Sequence, residues 1–406
     1  MILTLSAPVL YALELTPACN NRCAGCFNVF ATDRTAPVLP LDDWRKILAG
    51  IRPHAHRLKL TGGEPTLYPD LAGLIALLDE WNLRFSMFTN ARWADPSGVV
   101  HLLKASTALD GLLVSLHGAT AGAHEAFSGV PGSFDETVVN IRRAVAAGLP
   151  VALSTVIHRH NLGELEQMSA LCADLGADHV SFNRYLGPSN PEIEPTPDAL
   201  RDAVLCIERM RTHGRRVKLG NCVPQCFVES SSVGCLAGVA YCTIDPWGNL
   251  RPCNHSPTQC GNLLQKDVVR IWQGAAMERW RARIPSTCHR CAVFGQCHGG
   301  CRAQAELLNL PTDPLMTAPL TVCSAPQRIE LNPAWHPLLN CEIRQESFGY
   351  VLLRGNRIAP LPADLLSIVQ TCDGKRSLRM LYEQFGRRGL QVIYELYRQG
   401  LLEMQD

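Results

Sequence analysis

The sequence predicts an α/β protein: a partial (β/α)6 barrel of the TIM type, then a cysteine-rich domain, then a small winged-helix-like α+β domain. Three observations predict this order. Short apolar runs alternate with amphipathic stretches over residues 1–190, cysteines concentrate between residues 235 and 323, and residues 341–406 show short strands followed by helices. Strands that alternate with helices indicate parallel βαβ units.

The barrel prediction rests on six apolar runs separated by helical patterns. The predicted strands are Tyr11–Leu15, Arg57–Leu60, Arg84–Phe88, Gly111–Leu116, Pro150–Ile157 and Asp178–Phe182. Six units suit a partial barrel better than a closed eight-stranded one. In this architecture the chemistry gathers at the C-terminal ends of the strands.

The remaining boundaries follow shifts in composition. We expect a bridging segment at 191–234, the cysteine-rich domain at 235–325, a proline-punctuated linker at 326–340 and the tail domain at 341–406.

Composition argues against several classes of protein. The 406 residues carry 38 Lys and Arg against 37 Asp and Glu, which gives no electrostatic case for binding nucleic acid or an anionic membrane. No apolar run reaches the ~20 residues that span a bilayer. The apolar N-terminus lacks a basic region and carries Glu14, so it indicates a buried strand rather than a signal peptide.

Cysteine is the most informative residue type. The 18 cysteines fall in tight clusters, and in a reducing cytoplasm, where we expect this protein, such clusters indicate metal or iron–sulfur ligands. A secreted disulfide scaffold is the alternative, but cysteine-dense secreted domains are usually small.

The first cluster follows the first predicted strand. Cys19, Cys23 and Cys26 have the spacing C-x3-C-x2-C. Three thiolates on a 4Fe–4S cluster leave one iron without a protein ligand, and that iron can bind a small chelating molecule. A structural zinc site with a fourth ligand from elsewhere is the alternative.

A glycine motif follows the second predicted strand, in the stretch KLTGGEPTLYPD. Gly62 and Gly63 allow close backbone approach to a ligand, Glu64 adds an acceptor, and Pro65 stiffens the exit. Together with the three-cysteine cluster, this motif resembles the radical S-adenosylmethionine (SAM) superfamily. The resemblance covers about residues 8–190, and Phe27 matches the family's usual aromatic residue after the last cysteine.

The resemblance implies the chemistry of that family. SAM would chelate the open iron, and one electron from the cluster would give a 5′-deoxyadenosyl radical that abstracts hydrogen from a substrate. An electron donor such as flavodoxin or ferredoxin is implied. The residues at the positions of the family's SAM contacts are Gly62, Gly63, Glu64, Pro65, Asn90, Ser115, His117 and Thr155. Of these, His117 stands where the family commonly has Asp. Ser128 stands where the family pattern has Arg.

The later cysteines resemble a second family pattern. The spacing C-x12-G-x4-C, then C-x2-C-x5-C-x3-C, then a final Cys, is similar to the SPASM domain of radical SAM enzymes; a zinc ribbon is the alternative. The resemblance implies two auxiliary clusters and therefore three iron–sulfur clusters in all. The first would be held by Cys235, Cys242, Cys253 and Cys301, and the second by Cys288, Cys291, Cys297 and Cys323.

Four residues bear on this assignment. If Cys242 is not a ligand, the first auxiliary cluster has an open iron. Asn254 stands where anaerobic sulfatase maturases carry Asp, which disfavours sulfatase maturation. Cys222 and Cys226, spaced C-x3-C, have no assigned role.

The tail resembles a peptide-binding domain. The stretch TCDGKRSLRMLYEQF is similar to the peptide chaperone of pyrroloquinoline quinone synthesis, a recognition element for leader peptides. The resemblance implies that a leader adds as a strand to a sheet edge. We expect that edge at about Phe348–Arg354, with the helix Val392–Gln399 as the other wall.

The combined prediction is a radical SAM maturase of a ribosomally made precursor peptide that binds the leader of that peptide. The stretch CNNRCAGCFNVF also looks like maturases that splice tyramine-equivalent fragments from peptides with Nif11-type leaders. Two alternatives remain: a radical SAM oxidoreductase that acts on a protein or small molecule, and a winged-helix iron–sulfur sensor that binds DNA.

Overall fold

The structure is a computed structural model that describes residues 4–26, 33–231, 234–322, 330–355 and 357–405. These residues form two compact units. The first comprises the described residues between 7 and 322, and the second comprises those from 330 onward together with residues 4–6.

A mixed sheet of ten strands organises the first unit. Its spatial order is β10-β9-β8-β1-β2-β3-β4-β5-β6-β7. The strands are β1 (Leu10–Glu14), β2 (Arg57–Thr61), β3 (Phe85–Thr89), β4 (Leu109–Ser115), β5 (Val151–Ile157), β6 (Val180–Arg184), β7 (Val217–Leu219), β8 (Tyr241–Ile244), β9 (Asn249–Arg251) and β10 (Gly261–Asn262). Strands β1 to β7 are parallel in chain order, as a partial α/β barrel requires.

The first unit also contains helices. They are α1 (Leu41–Ile51), α2 (Leu71–Glu80), α3 (Pro96–Ala105), α4 (Ala121–Ser128), α5 (Ser133–Ala146), α6 (Leu165–Asp174), α7 (Pro197–Thr212), α8 (Val268–Trp272), α9 (Ala275–Arg281), α10 (Phe294–Cys297) and α11 (Arg302–Leu307). Short 3-10 turns span Pro65–Leu67, Leu162–Glu164 and Ser286–Arg290. Helix α1 shows why they pack: Trp44, Ile47, Leu48 and Ile51 recur at helical spacing, and all four are buried.

The two faces of each barrel strand differ in chemistry. On β2, Leu58 and Leu60 lie in the apolar core, while Lys59 between them does not. Because successive strand residues point to opposite faces, Lys59 is turned toward the inside of the barrel. The barrel interior is therefore partly polar.

The cysteine-rich region continues the barrel sheet. Strand β8 pairs in parallel with β1, and β9 pairs antiparallel with β8. A buried ion pair joins Arg184, at the end of β6, to Asp313, with Nη2 to Oδ2 at 2.6 Å. The Gln304 amide also exchanges two hydrogen bonds with the Gly187 backbone, at 2.9 and 3.0 Å. The predicted boundary near residue 235 is therefore not a break in the fold.

The second unit contains five strands and two helices among the residues that the structure describes. The elements are β11 (His336–Leu339), β12 (Glu342–Glu346), β13 (Gly349–Arg354), β14 (Arg357–Leu361), α12 (Leu366–Gln370), α13 (Leu378–Arg398) and β15 (Leu402–Gln405). Gly386 breaks α13 with φ of 63° and ψ of −159°, so three helical segments follow the sheet. Strand β11 lies within the predicted linker and pairs with β15.

The predicted sheet edge in this unit is wrong. Strand β13, which coincides with the expected edge at Phe348–Arg354, pairs with β12 on one side and β14 on the other. Its backbone groups are already used, so it cannot accept another strand. The edges of this three-stranded sheet are β12 and β14.

Among the described residues, none of the helices has the length and apolar character needed to cross a membrane.

Candidate iron–sulfur active site

The glycine loop after β2 packs directly on the backbone that leads into the first cysteine cluster. The Gly63 N–H donates to the Thr16 carbonyl oxygen at 2.7 Å, and the Glu64 N–H donates to the Ala18 carbonyl oxygen at 2.8 Å. A Cβ at Gly63 would lie 2.1 Å from the Ala18 oxygen, and one at Gly62, where φ is +134°, would lie 2.6 Å from the Thr16 oxygen. Glycine is required because no side chain fits between these two segments.

Glu64 ties the glycine loop to the end of β3. Its Oε1 accepts hydrogen bonds from the N–H and hydroxyl of Thr66 and from the hydroxyl of Thr89, and its Oε2 accepts the Asn90 N–H at 2.8 Å. Burial raises the pKa of Glu64, and these donors oppose the rise. Since a carboxylate oxygen accepts about two hydrogen bonds, Oε2 keeps capacity for one further donor. Pro65 is buried at the start of the following 3-10 turn.

Polar side chains at the end of β3 hold the other side of the cysteine loop. The Asn90 amide donates to Asn20 Oδ1 at 2.7 Å and lies 3.8 Å from Cys19 Sγ. Arg92 Nη1 donates to the Asn20 carbonyl at 2.7 Å and to Asn21 Oδ1 at 2.8 Å. Sequence reasoning found Asn90 but missed Arg92 and the two asparagines, whose polar run beside Cys19 was the available signal.

The C-terminal end of α4 forms backbone hydrogen bonds with the cysteine loop. The N–H groups of Arg22 and Ala24 donate to the carbonyls of Ser128 and Phe127 at 2.9 and 2.8 Å. A Cβ at Gly25 would lie 2.9 Å from the Phe127 ring. Ser128, which replaces the expected Arg, therefore contributes its backbone to the cysteine loop.

The three thiols of the first cluster share one electrostatic neighbourhood. Burial raises the pKa of Cys19 and raises that of Cys23 to about 12, and in both cases the neighbouring thiols add to the rise. The Asn21 N–H points at Cys19 Sγ from 3.4 Å. Three thiols that affect one another's pKa fit the ligands of one cluster, because bound iron would replace their protons and offset their charge. Phe27 lies outside the described residues.

His117 lies near the cysteine loop as a neutral ring. Its ring centroid is 4.4 Å from that of Phe127, and its Nδ1 accepts the Val156 N–H at 3.2 Å. Burial and the neighbouring His124 and His158 lower its pKa well below the ordinary range. Since Nδ1 is an acceptor, the ring proton sits on Nε2, which is the donor that His117 can offer to a ligand.

Ser115 and Thr155 occupy different environments. Ser115 ends β4 and is half-buried, opposite Ser154 of β5 in the sheet register. Thr155 is fully buried and donates its hydroxyl to the Leu116 carbonyl at 2.7 Å. The structure therefore leaves Ser115 as a candidate contact at the strand ends, whereas the Thr155 hydroxyl is used to join two strands.

Lys59 is a second polar residue that sequence reasoning did not assign. Its Nζ lies 4.4 Å from the ring centroid of Phe88 and 5.3 Å from that of Tyr241. Burial lowers the pKa of Lys59 to about 8. An amine with this pKa inside the barrel exchanges a proton readily near neutral pH.

Asn254 belongs to a buried network between β1 and β8. Its Nδ2 donates to Glu14 Oε1 at 2.8 Å, and its Oδ1 accepts from the Tyr241 hydroxyl. Arg251 pairs with the same carboxylate. Burial raises the pKa of Glu14, and Arg251 and Asn254 oppose the rise. The Asn254 amide thus has a structural partner on each side.

One set of cysteines gathers around the junction of barrel and cysteine-rich region. Cys222 and Cys301 are buried in one small cluster, against which Cys235 and Cys253 pack. Burial is the main cause that raises the pKa of Cys222, and Cys235 and Cys301 add to it. The same two thiols add to the rise that takes the pKa of Cys253 to about 12.

The structure does not bring Cys242, one of the predicted ligands, into this set. Cys242 and Ile244 lie in the main apolar core, and the neighbouring thiol that affects Cys242 is Cys260. Alternation along β8 explains this placement: Cys242 points to the face opposite Tyr241 and Thr243. Cys222 lies with the other three cysteines instead.

A buried charge lies beside this set. The Arg184 guanidinium lies near Cys222 and Cys301 and pairs with Asp313. Burial acts to lower the pKa of Arg184, but Asp313 and the two cysteines together raise it. Asp313 Oδ2 accepts the Cys301 N–H at 2.7 Å. The Arg184–Asp313 pair thus fixes the backbone at one of the four cysteines.

A second set contains the cysteines of the C-x2-C-x5-C stretch. Burial raises the pKa of Cys288 to about 11, and Cys297, Cys226 and Cys291 add to the rise. Cys323, the predicted fourth member, lies outside the described residues. Within the described ranges, no group of three or more potential ligand side chains lies close enough to hold a single metal ion. The two sets are therefore defined by the thiols that affect one another's pKa and by the thiols that line the same cavity.

These features define a class of protein: an iron–sulfur enzyme whose barrel carries a three-thiol loop against a glycine loop, with further thiol sets beside it. The chain belongs to the radical SAM superfamily, whose family model matches residues 13–172. The model of the SPASM iron–sulfur cluster-binding domain matches residues 235–292. The protein is therefore a SAM-dependent iron–sulfur enzyme.

Named relatives extend over most of the chain. The mycofactocin maturase MftC of Mycobacterium ulcerans is 30% identical over 76% of this chain and 87% of its own length. A PqqA peptide cyclase of Granulibacter bethesdensis is 27% identical over 90% and 99%. An AdoMet-dependent heme synthase of Methanosarcina barkeri is 28% identical over 75% and 94%. The crystal structure of Streptococcus suis SuiB bound to its precursor peptide SuiA has the same fold, with a TM-score of 0.64 at 19% identity over 79% of this chain and 77% of SuiB.

Proposed function

We propose that this protein modifies a ribosomally made precursor peptide by radical chemistry, abstracting a hydrogen from the core of the peptide after binding its leader. The observation that carries the peptide assignment is the tail unit: a small sheet whose edge strands are β12 and β14, on the same chain as a radical SAM barrel. The names of the PqqA peptide cyclase and the mycofactocin maturase support it.

The three-thiol loop is where the cofactor would bind. Cys19, Cys23 and Cys26 would hold a cluster with one open iron, and SAM bound there supplies the hydrogen-abstracting radical. The free acceptor position on Glu64 Oε2 and the Nε2–H of His117 are the groups that this chain offers to a bound ligand. Asn90 would act through the cysteine loop, because its amide is occupied by Asn20 and lies near Cys19.

The first auxiliary cluster would be held by Cys222, Cys235, Cys253 and Cys301. Four thiolates would close this cluster, which suits it to carry electrons, delivered by a donor such as flavodoxin or ferredoxin. With Cys288, Cys291 and Cys297 in a second set, the chain would hold three clusters.

The first auxiliary set is tested by counting iron in two variants. Both variants are made in protein whose Cys19, Cys23 and Cys26 are changed to Ala. In this background Cys222→Ala should lose about four irons per chain, the content of one 4Fe–4S cluster. Cys242→Ala should retain them, because that thiol lies in the apolar core. The opposite pattern would restore Cys242 to the ligand set.

Strand β14 is the edge that we propose for the leader. Residues 4–6 lie beside β12, where the Ser6 N–H donates to Glu346 at 2.8 Å. Strand β14 runs beside the end of α13, where Arg357 Nη1 donates to the Gly400 carbonyl at 2.8 Å. A leader added to β14 would thus lie next to that helix, as a strand-addition complex requires.

A proline substitution tests this edge. Pro360 pairs with Val351 without a donor, so its nitrogen faces away from β13, and Ile358, two residues earlier, faces the same way. Ile358→Pro should weaken precursor binding at least tenfold by removing an outward donor, and Ile358→Val should not. The measurement is binding of a fluorescently labelled candidate precursor, a short peptide sought among the neighbouring reading frames. Equal affinities would exclude this edge.

A small-molecule substrate is the second candidate, and the heme synthase relative favours it because the match covers most of both chains. Removing residues 330–406 separates the two. A peptide maturase should lose precursor binding, whereas an enzyme for a small molecule should keep its turnover. The family assignment favours either enzyme over a DNA-binding sensor.

A further inference from the structure

Cys226 lines the same cavity as the three cysteines of the second auxiliary set. The walls of this cavity include Cys226, Cys288, Cys291 and Cys297. The other walls are mostly apolar and are formed by Pro224, Val293, Phe294, Gly299, Met316, Thr317 and Pro319. Four thiols on one largely apolar, partly open space are the donor set that a four-iron cluster requires.

A hydrogen bond marks the Cys226 sulfur as an acceptor. The Thr317 N–H donates to Cys226 Sγ at 3.3 Å, and the Thr317 hydroxyl donates to the Cys226 carbonyl. N–H donors of this kind stabilise cluster thiolates and tune their reduction potential. These two hydrogen bonds fix Cys226 against the loop at Met316–Thr317, which also lines the cavity.

We propose that Cys226 is the fourth protein ligand of the second auxiliary cluster. This proposal rests on the second cluster of the proposed function and adds a ligand that lies outside the matched SPASM residues 235–292. Cys222, four residues earlier, belongs to the first set. The short C-x3-C segment would therefore place one thiol on each auxiliary cluster and tie the two together. Cys323 is then not needed as a ligand.

Thiol labelling in the intact protein tests the proposal without a variant. Iron-loaded and iron-free protein are treated with N-ethylmaleimide, and labelled cysteines are mapped by mass spectrometry. Cys226 should label at least tenfold more slowly in the iron-loaded protein. Cys206, also half-buried and located on α7, is the matched control and should label equally in both. Equal labelling of Cys226 in the two forms, whether fast or slow, overturns the proposal.

An iron count gives a second, independent reading. In protein whose first-cluster and first-auxiliary cysteines are changed to Ala, the second cluster alone remains and should contribute about four irons per chain. Cys226→Ala should remove its electron paramagnetic resonance signal and most of this iron, whereas Cys206→Ala should not. Retained iron and signal in Cys226→Ala, with loss in Cys323→Ala, overturns the proposal. Absence of iron before either change would instead refute the second cluster itself.

Discussion

Gly63 is the position where a single added methyl group should push the glycine loop and the cysteine loop apart. An alanine Cβ there would lie 2.1 Å from the Ala18 carbonyl oxygen, 2.6 Å from its carbon and 2.7 Å from the Pro17 oxygen, whereas real Cβ contacts stay above 3.0 Å. The glycine loop and the cysteine loop must therefore move apart by about 1 Å. All three obstacles are backbone atoms, so no side-chain rotation can relieve the contact.

The consequence should exceed an ordinary loss of stability. Overpacking of this kind costs about 1–3 kcal/mol, but the displaced segment leads directly into Cys19. A misplacement of about 1 Å can cost on the order of 100-fold in rate. Gly63→Ala should therefore reduce cleavage of SAM by the dithionite-reduced, reconstituted protein by about that factor, measured as 5′-deoxyadenosine formed per chain.

The matched control is Gly50→Ala. Gly50 lies in α1 with no atom within 4 Å of an added Cβ, and alanine within a helix is more stable than glycine by about 0.5–1 kcal/mol. This variant should cleave SAM at the normal rate. Normal cleavage by Gly63→Ala would refute the argument that the glycine motif is required for packing of the cysteine loop.

Two further predictions concern buried charges. Asp313→Asn should lower the free energy of unfolding by about 3–5 kcal/mol, because it leaves the Arg184 guanidinium buried without its partner. The control Asp174→Asn, in the exposed pair with Arg142, should lower it by at most about 1 kcal/mol. Equal losses of unfolding free energy for the two variants, measured by urea unfolding, would contradict this prediction. Lys59→Met should raise the free energy of unfolding at pH 7 by up to about 3 kcal/mol, because burial lowers the pKa of this lysine to about 8. The gain should be complete below pH 8 and vanish near pH 10.5, where the unfolded state also loses the proton; a gain independent of pH would refute it.

The sequence predicted the barrel well because its strands appear as short, largely apolar runs that alternate with amphipathic helical patterns. All six predicted runs overlap β1 to β6. The continuity of the sheet across the predicted boundary near residue 235 could not be predicted, because the pairing of β8 with β1 joins segments more than 200 residues apart.

The assignment of cysteines to clusters shows a different limit of prediction from the sequence. Spacing selected Cys242, but spacing does not reveal which face of a strand a side chain occupies, and β8 turns Cys242 into the apolar core. Cys222 and Cys226 carried no motif of their own. Their roles follow from tertiary packing that brings one beside Cys301 and the other beside Cys288.

The tail unit shows why edges are difficult to predict. Strand β13 is the most apolar of its sheet, with Val351, Leu352 and Leu353 all buried. That apolarity indicated a strand but, in fact, marks the centre of the sheet rather than its edge. Only the pairing of β13 with both neighbours resolves its position.

The most direct test of the account is one incubation of reduced, reconstituted protein with SAM and a precursor peptide identified among the neighbouring reading frames, followed by mass spectrometry. The account predicts formation of 5′-deoxyadenosine together with a change in the peptide: a loss of about 2 Da for a crosslink, or a larger loss for excision. Both products should disappear in Cys23→Ala. Formation of 5′-deoxyadenosine by Cys23→Ala, or an unmodified peptide with the intact protein, would contradict the account.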